Sequence, residues 1–570
     1  MTLPGPRPFV LLLALAAGCD RPAATTPTPA AASGPAWFED VTGRLGLKFT
    51  HDCGPLTSDY FMPQIMGSGC ALFDFDGDGR LDAYLVHNGG PGGAKNQLFH
   101  QQPDGTFRDV SAGSGLDVAG YGMGVAVADV NNDGRPDVLL TEYGATRLFL
   151  NQGGGRFLEV TRAAGIDNPL WATSAAFFDF DRDGWLDLIV VNYLDYDPSI
   201  RCAGRGGKPD FCAPLPFAGS VARLYRNLGP RPGAPGVSFE DVTVKAGLGA
   251  ARGKGLGVLC ADFDGDGWPD VLAANDMMAN HLWVNQRDGT FKEEALTRGV
   301  AYTLSGAAAA NMGVAWADVD GDGLPALFVT HIEDETHTLW KQGPRGFFQD
   351  RTAAAGLAAG PRSTGFGAAL VDFDRDGRPD LAFVNGGVRA NRDADLSGPF
   401  WSRYAQRNRL YANEGGGHFR DISELSPALC GKPCVGRGLA VGDFDNDGAP
   451  DLLVTEAGGP ARLLRNVAPA NGHWLAVRAI IPKLKRDAYG AEVTVRAGGK
   501  SYWRLLNPGS SYCSSNDPRG HFGLGPSDRY DGIDVLWPDG SAETFPGGPA
   551  DKPVELRQGE GKAMPRPGKK

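Results

Sequence analysis

The sequence predicts an all-β protein: a seven-bladed β-propeller followed by a small, sandwich-like β domain. Three observations carry that prediction. A nine-residue acidic pattern recurs seven times, each copy lies between runs of β-forming residues, and strand-like runs continue without it beyond residue 470. Self-similarity at a spacing of tens of residues marks a repeat architecture, in which one unit cannot cover its own apolar face and its neighbours must. Composition agrees, because 82 Gly and 41 Pro among 570 residues call for many tight turns between short strands.

The copies read DFDGDGRLD (74–82), DVNNDGRPD (129–137), DFDRDGWLD (179–187), DFDGDGWPD (262–270), DVDGDGLPA (318–326), DFDRDGRPD (372–380) and DFDNDGAPD (443–451). Small and apolar residues such as GMGVAVA precede each copy, and a β-rich run such as VLLTEY follows, so each acidic stretch reads as a connection between two paired strands. A third strand ends in a turn (TRLFLNQGGGRF, NHLWVNQRDGTF), and a fourth reads FRDVS, FLEVT, FEDVT or FRDIS. The last unit, after ARLLRN (461–466), lacks that fourth strand, while FEDVT (38–42) stands alone before the first acidic loop. If this N-terminal strand completes the last sheet, the ring closes and no open edge remains.

The expected organisation is a lipoprotein-type signal peptide (1–19), a Pro/Ala/Thr tether (20–35), the propeller (36–470), a β domain (471–558) and a disordered tail (559–570). The apolar run Phe9 to Ala17 is too short to span a bilayer, and the ending LAAGC places Cys19 as the lipidated first residue. An ordinary cleaved signal is the alternative, since Ala16 sits where a lipoprotein box prefers Leu. Either way the chain is expected to be exported. With the anchor it is a membrane-bound lipoprotein in the outer membrane, periplasm or cell surface, and otherwise it is secreted. In an oxidising compartment, Cys202 with Cys212 and Cys430 with Cys434 are close enough in sequence to pair, while Cys53, Cys70, Cys260 and Cys513 stay open between pairing and buried thiols.

The formal charge is −12 and the acidic residues are clustered, which disfavours nucleic acid as a partner and favours a cation. Turn chemistry does not ask for Asp at positions one, three, five and nine together, whereas a hard cation that takes six to eight oxygens does. Loop 1 offers Asp74, Asp76, Asp78 and Asp82 with the carbonyl of Arg80, and Gly79 permits the sharp bend. Loop 2 offers Asp129, Asn131, Asp133, Asp137 and the Arg135 carbonyl; loop 3 Asp179, Asp181, Asp183, Asp187 and the Trp185 carbonyl. Loop 4 offers Asp262, Asp264, Asp266, Asp270 and the Trp268 carbonyl, while loop 5 offers Asp318, Asp320, Asp322 and the Leu324 carbonyl, with Ala326 replacing its last Asp. Loop 6 offers Asp372, Asp374, Asp376, Asp380 and the Arg378 carbonyl; loop 7 Asp443, Asp445, Asp447, Asp451 and the Ala449 carbonyl.

Calcium fits these flexible all-oxygen cages better than magnesium, which keeps its waters, or zinc, which wants His or Cys, and none lies in these loops. An EF-hand is rejected, because position twelve is Leu85 in loop 1 and Leu140 in loop 2 where that motif needs a bidentate Glu. Six to seven structural Ca2+ sites are therefore expected, and loop 5 should bind more weakly or complete its shell with water.

The repeated DxDxDGxxD loops resemble the FG-GAP/VCBS repeats of integrin α-subunit propellers. MPQIMGSGCALFDFDGDGRLDAYLVHN, NYLDYDPSIRC with DFCAP and ARLYRNLG, and the C-terminal NGHWLAVRAI, GAEVTVRAGGKSYWRLLNPGSSY, HFGLG and IDVLWPDG resemble bacterial relatives of cartilage acidic protein that carry an ASPIC/UnbV domain. The resemblance covers about residues 36 to 546 and implies a secreted or surface calcium-binding propeller of ill-defined activity.

No HExxH, GxSxG or GxxxxGK[ST] motif occurs, and GGKS (498–501) reads as a hairpin turn, so no catalytic residue is nominated. The two longest inserts, Asn192 to Ser220 and Asn385 to Arg407, project opposite the acidic loops, where His87, Asn88, Tyr193, Asp195, Asp276, His331, Glu333, Asn385, Arg389 and Glu456 also gather. That face is expected to bind a glycan, a peptide or a partner protein, which makes the chain a binding, adhesion or scaffold module. The alternatives are a carbohydrate-active lyase or hydrolase with its site on the same face, and a structural surface protein whose C-terminal domain docks a partner.

Overall fold

The computed structural model describes residues 34–204, 207–391 and 399–565. The expectations for the signal peptide, Cys19 and most of the tether lie outside these residues.

Among the described residues seven four-stranded antiparallel blades form a ring, each built in sequence order except the last, and Gly509–Ser510 with Ser514–Ser515 extend the sheet of blade 1 to six strands. Blade 2 is typical: Gly122–Ala128, Asp137–Glu142, Ala145–Gly153 and Arg156–Glu159 run from the axis outward. In blade 7, Phe38–Asp40 pairs with Arg462–Asn466, with Phe38 opposite Asn466, so the N-terminal strand closes the ring as its unpaired position in the sequence requires. Alternate residues of each strand face the two neighbouring blades. Ala71, Phe73 and Tyr84 of blade 1 thus share a core with Val125, Val127 and Val138 of blade 2, and like clusters fill the other gaps.

The acidic loops bend where their glycines allow. Gly79, Gly134 and Gly184 at position six have φ of +84°, +94° and +91°, the left-handed region that costs glycine nothing. Position four is left-handed as well, held by Gly77, Asn132, Arg182, Gly265, Gly321, Arg375 and Asn446.

The C-terminal domain has its own apolar core, in which Leu475, Val477, Val493, Val495, Phe522, Ile533 and Trp537 lie between two sheets. Part of the expected tail is ordered: Lys562–Ala563 adds a strand to Ala542–Pro549, and Gly559 and Gly561 donate to the Glu543 carboxylate.

The domain is not merely appended. It sits on the acidic-loop side of the ring, where Arg486 donates to Asn132 and the Gly184 carbonyl, Arg519 to the Asp443 carbonyl and Asn446, and Asn471 to Asp374. A Cβ at Gly523 would lie 2.0 Å from Oδ2 of Asp372, so the close approach demands glycine.

From this domain a loop, residues 507–517, enters the ring and bonds to every blade. Ser515 bridges Ala71, the Cys513 carbonyl accepts from Val125 and the Cys513 N–H donates to Ser174. Asn507 donates to the Cys260 carbonyl, Ser511 exchanges two backbone bonds with Val314, and its hydroxyl accepts from Ala368. Asn516 and Asp517 complete the circuit on Val441. The innermost strands of a propeller leave backbone groups facing the axis, and this plug satisfies part of them from within the chain.

From the other side the short helix Pro63–Met66 and the two long inserts close the axis. Phe211 of the first insert packs on Trp401 and Tyr404 of the second, and the Tyr404 hydroxyl donates to Asp210 at 2.6 Å. Arg437 is fully buried beside the helix, donates to the carbonyls of Ile65 and Gly386, and lies 3.9 Å over the Phe366 ring, a neutral cradle that lowers its pKa to about 10 through burial.

Cys202–Cys212 is a disulfide, as expected. Cys430 and Cys434 are not paired: both are buried thiols, as are Cys53, Cys70, Cys260 and Cys513. Cys430 closes the helix Pro427–Cys430, whereas Cys434 pairs in the backbone with Gln406 and turns its sulfur to Asn408 and Arg462, so the two thiols serve different neighbours.

Candidate metal centres

Each acidic loop is a folded cup whose aspartates have distinct duties. The first-position carboxylate caps the turn: Asp74 accepts from the N–H groups of Gly77, Asp78 and Gly79 at 2.7 to 3.1 Å. The ninth ties the loop to its sheet. Asp82 accepts from Phe75 through one oxygen and from Gln101 of the third strand through the other, and Asp137, Asp187, Asp270, Asp380 and Asp451 repeat the arrangement. Each of those oxygens keeps a second lone pair.

The side-chain oxygens converge. Ligand atoms of Asp74, Asp76 and Asp82 lie within 4.8 Å of one another, as do those of Asp179, Asp181 and Asp187, of Asp262, Asp264 and Asp270, and, in loop 5, of Asp318, Asp320 and Asp322. Burial is the main reason these carboxyls resist ionising, and their mutual repulsion adds to it: Asp82 is pushed up to about 8, Asp179 and Asp372 to about 7, and Asp129 to about 6. A multivalent cation among hard oxygen donors relieves both costs, so the residues present fit a calcium ion.

The third strand contributes side chains that the sequence reading missed. The residue before the Asn or Gln that recurs in this strand is basic in four blades and points at that blade's loop. His100 Nε2 lies 3.1 Å from Asp76, Arg226 reaches Asp181 and Asp183 at 2.5 and 3.0 Å, and Arg465 reaches Asp445 and Asp447 at 2.7 and 2.9 Å. Lys341 enters loop 5 and donates to Asp320, Asp322 and the Leu324 carbonyl. In blades 2, 4 and 6 the same place holds Leu150, Val284 and Ala412. The signal was present in the motifs FHQ, YRN, WKQ and LRN, whose middle residue is basic where FLN, WVN and YAN carry an apolar one. It also amends the zinc argument for blade 1, where a histidine stands beside the loop without belonging to it.

Neighbouring loops are laced through position four. Asn132 donates to the Gly184 carbonyl, Arg182 reaches Gly267 and stacks on Trp268, Arg375 reaches Asp447, and Asn446 donates to the Gly79 carbonyl.

The opposite face differs from the expected polar surface. His87, Asn88, Tyr193, Asp276, His331 and Asn385 are buried, and only Asp195 of the ten is exposed. They hold backbone and inserts in place. His87 accepts from the Asp52 N–H, Asn88 donates to the Pro63 carbonyl, Asn385 to the Arg407 carbonyl, and the Tyr193 hydroxyl to Asp276. His331 pairs with Thr338, Gln406 donates to Glu333, and Arg389 and Arg462 form ion pairs with Asp334 and Glu456. What this face offers instead is aromatic: half-buried Phe61, Tyr121, Tyr143 and Tyr196 pack edge to face over Trp171.

The FG-GAP-like repeat model matches residues 74–140, 129–190, 262–329, 318–383 and 397–454, and the ASPIC and UnbV model matches residues 482–563. The chain belongs to the FG-GAP-like repeat family. Cartilage acidic protein 1 of Homo sapiens is 28% identical over 314 residues, which cover 53% of this chain and 44% of that protein; the Xenopus tropicalis protein is 28% identical over 317 residues, covering 54% and 45%. The chain thus spans less than half the length of these curated relatives. Among solved structures, YCF48 bound to D1 peptide superposes with a TM-score of 0.40 at 10% identity over 78% of this chain and 99% of that one. An Agrocybe aegerita lectin that recognises non-reducing terminal N-acetylglucosamine gives 0.35 at 14% identity, over 64% and 82%.

Proposed function

We propose that this family member is an exported, calcium-loaded propeller acting as a binding or scaffold module, held at a membrane surface through a lipidated Cys19. The convergence of three aspartate oxygens within 4.8 Å in loops 1, 3 and 4 carries the calcium part. Hard, all-carboxylate cups with a backbone carbonyl suit an ion that accepts irregular six- to eight-fold oxygen shells. Extracellular modules work at dissociation constants of ~10⁻⁴ M. At tenfold excess, each ion adds roughly 1.4 kcal/mol of stability. Over several loops that sum is comparable with the ~5–15 kcal/mol of an ordinary domain, so the ions serve to hold the ring.

Two features support binding over turnover. The axis, where a propeller could shelter a reaction, is occupied by the chain's own plug and helix. The insert face carries tyrosines, which supply rigid contact area and a hydroxyl at low entropic cost and suit a glycan, peptide or protein ligand. Among the described residues no helix is long and apolar enough to cross a membrane.

Calcium binding to the full chain, followed calorimetrically, tests the metal part; no heat and an EGTA-insensitive melting temperature would refute it. Glycan and peptide arrays probed with wild type and a Tyr121→Ala/Tyr143→Ala variant test the face, where equal signals would exclude it. Mass analysis of the mature N-terminus tests the anchor, and a free, unmodified terminus would remove it.

A further inference from the structure

We propose that blade 5 carries its own cation: the Lys341 ammonium stands where the other loops take a divalent ion, so this blade is built to hold without metal. The inference rests on the calcium reading for the remaining loops and goes beyond it.

Two separate features of the chain meet here. The ninth position is Ala326, fully buried, where every other loop has an aspartate that ties the turn to the third strand. In blade 5 that strand's Gln342 N–H goes instead to the Pro325 carbonyl at 3.0 Å. The same strand places Lys341 inside the loop. Its Nζ donates to Asp320 and the Leu324 carbonyl, lies 2.7 Å from Asp322 and 3.8 Å from Asp318, and so faces positions one, three, five and seven, the oxygen set a metal would use.

The charge agrees. Four carboxylates around a divalent ion and three around one ammonium carry the same formal charge, so losing one aspartate and gaining one lysine leaves the cup as nearly neutralised as its neighbours. The geometry also separates Lys341 from the other basic residues at this position. Its side chain is 14% exposed, whereas Arg226 and Arg465 are 38% and 36% exposed and touch only positions three and five. An ammonium is compact enough to enter the cup, while the planar guanidinium forks across its rim.

The test counts calcium in the full chain at saturation, by equilibrium dialysis with atomic emission, for wild type and for an Ala326→Asp/Lys341→Leu variant that gives blade 5 the residues of blade 2. The variant is expected to hold one ion more per chain than wild type, and equal counts would overturn the proposal. A second measurement does not depend on the variant's folding. In wild type, amine labelling read by mass spectrometry is expected to find Lys341 protected to the same degree in calcium and in EGTA. Labelling that rises when calcium is added would mean that the ion expels the ammonium, and full labelling in EGTA, at a temperature where circular dichroism shows the chain still folded, would mean that it never occupied the cup; either overturns the proposal. A wild type that binds no calcium removes the calcium reading, and protection of Lys341 in EGTA still decides this one.

Discussion

The Tyr512 hydroxyl donates to the Met66 carbonyl at 2.8 Å, so the tip of the C-terminal plug and the N-terminal helix meet on the axis of the ring. The two residues are 446 positions apart, and the Tyr512 ring is fully buried against Phe366 at 4.9 Å. Propeller and C-terminal domain should therefore melt together. Tyr512→Phe, which leaves one buried carbonyl without its donor, is expected to cost about 1–3 kcal/mol. Tyr512→Ala, which adds a cavity, is expected to cost about 3–5 kcal/mol. Differential scanning calorimetry checks both; two separate transitions, with the substitutions lowering only one, would mean that the plug does not join the halves.

Removing calcium should change how stability depends on pH. Burial first, with the charges of Asp76 and Asp74 behind it, pushes Asp82 up to about 8 in spite of the N–H bonds it accepts. An acid whose folded pKa is raised takes up more protons in the fold than in the unfolded chain, so its contribution favours folding at low pH and is lost as pH rises from about 4 to about 8. In EGTA the melting temperature should fall across that window, and with saturating calcium the fall should vanish. Melting curves from pH 4.5 to 8.5 check this, and parallel curves with and without calcium would contradict it.

How much was legible beforehand follows from where each signal resides. The ring is written in the repeat, because every acidic turn marks one strand pair and FEDVT (38–42) has no partner except the last blade. The plug is not legible: NPGSSYCSSND has no periodicity, since its partners are backbone groups of seven sheets rather than one apolar face. Polarity misleads on the insert face for a related reason. Asn88 and Asn385 read as solvent-facing, yet the loop and insert backbone buried around them needs hydrogen-bond partners, and both side chains supply them to carbonyl groups. The loop cups were visible as ligands, but the basic residues opposite them lie a strand away in sequence and become neighbours only through the register of the second and third strands, as where Lys341 lies opposite Ala326.

Arg226 and Arg465 compete with metal from the rim of loops 3 and 7. Replacing either by Leu, the residue that blade 2 carries, removes a cation bound to third- and fifth-position aspartates. Partly exposed pairs of this kind are worth up to about 1 kcal/mol, so calcium affinity at the altered loop should rise by about fivefold. Titration calorimetry of Arg226→Leu and Arg465→Leu checks this. Unchanged or weaker binding would show that the guanidinium groups support the ion rather than oppose it.

Acid should loosen the domain where it meets blade 7. Burial alone would raise the Asp517 pKa, but the Arg519 guanidinium, 2.7 Å away, and the His521 contact outweigh it and hold the carboxyl well below its usual 3.8. A depressed folded pKa gives stability that is present above 3.8 and lost as pH falls towards the folded value. Asp517→Asn does not titrate, so the stability gap between wild type and this variant should be constant from pH 7 to 5 and shrink below about 4. Hydrogen exchange of Gly520–Gly525, the strand that follows Asp517, should quicken over the same range in wild type alone. A gap that stays constant down to pH 3 would show that the Asp517–Arg519 pair contributes nothing to docking.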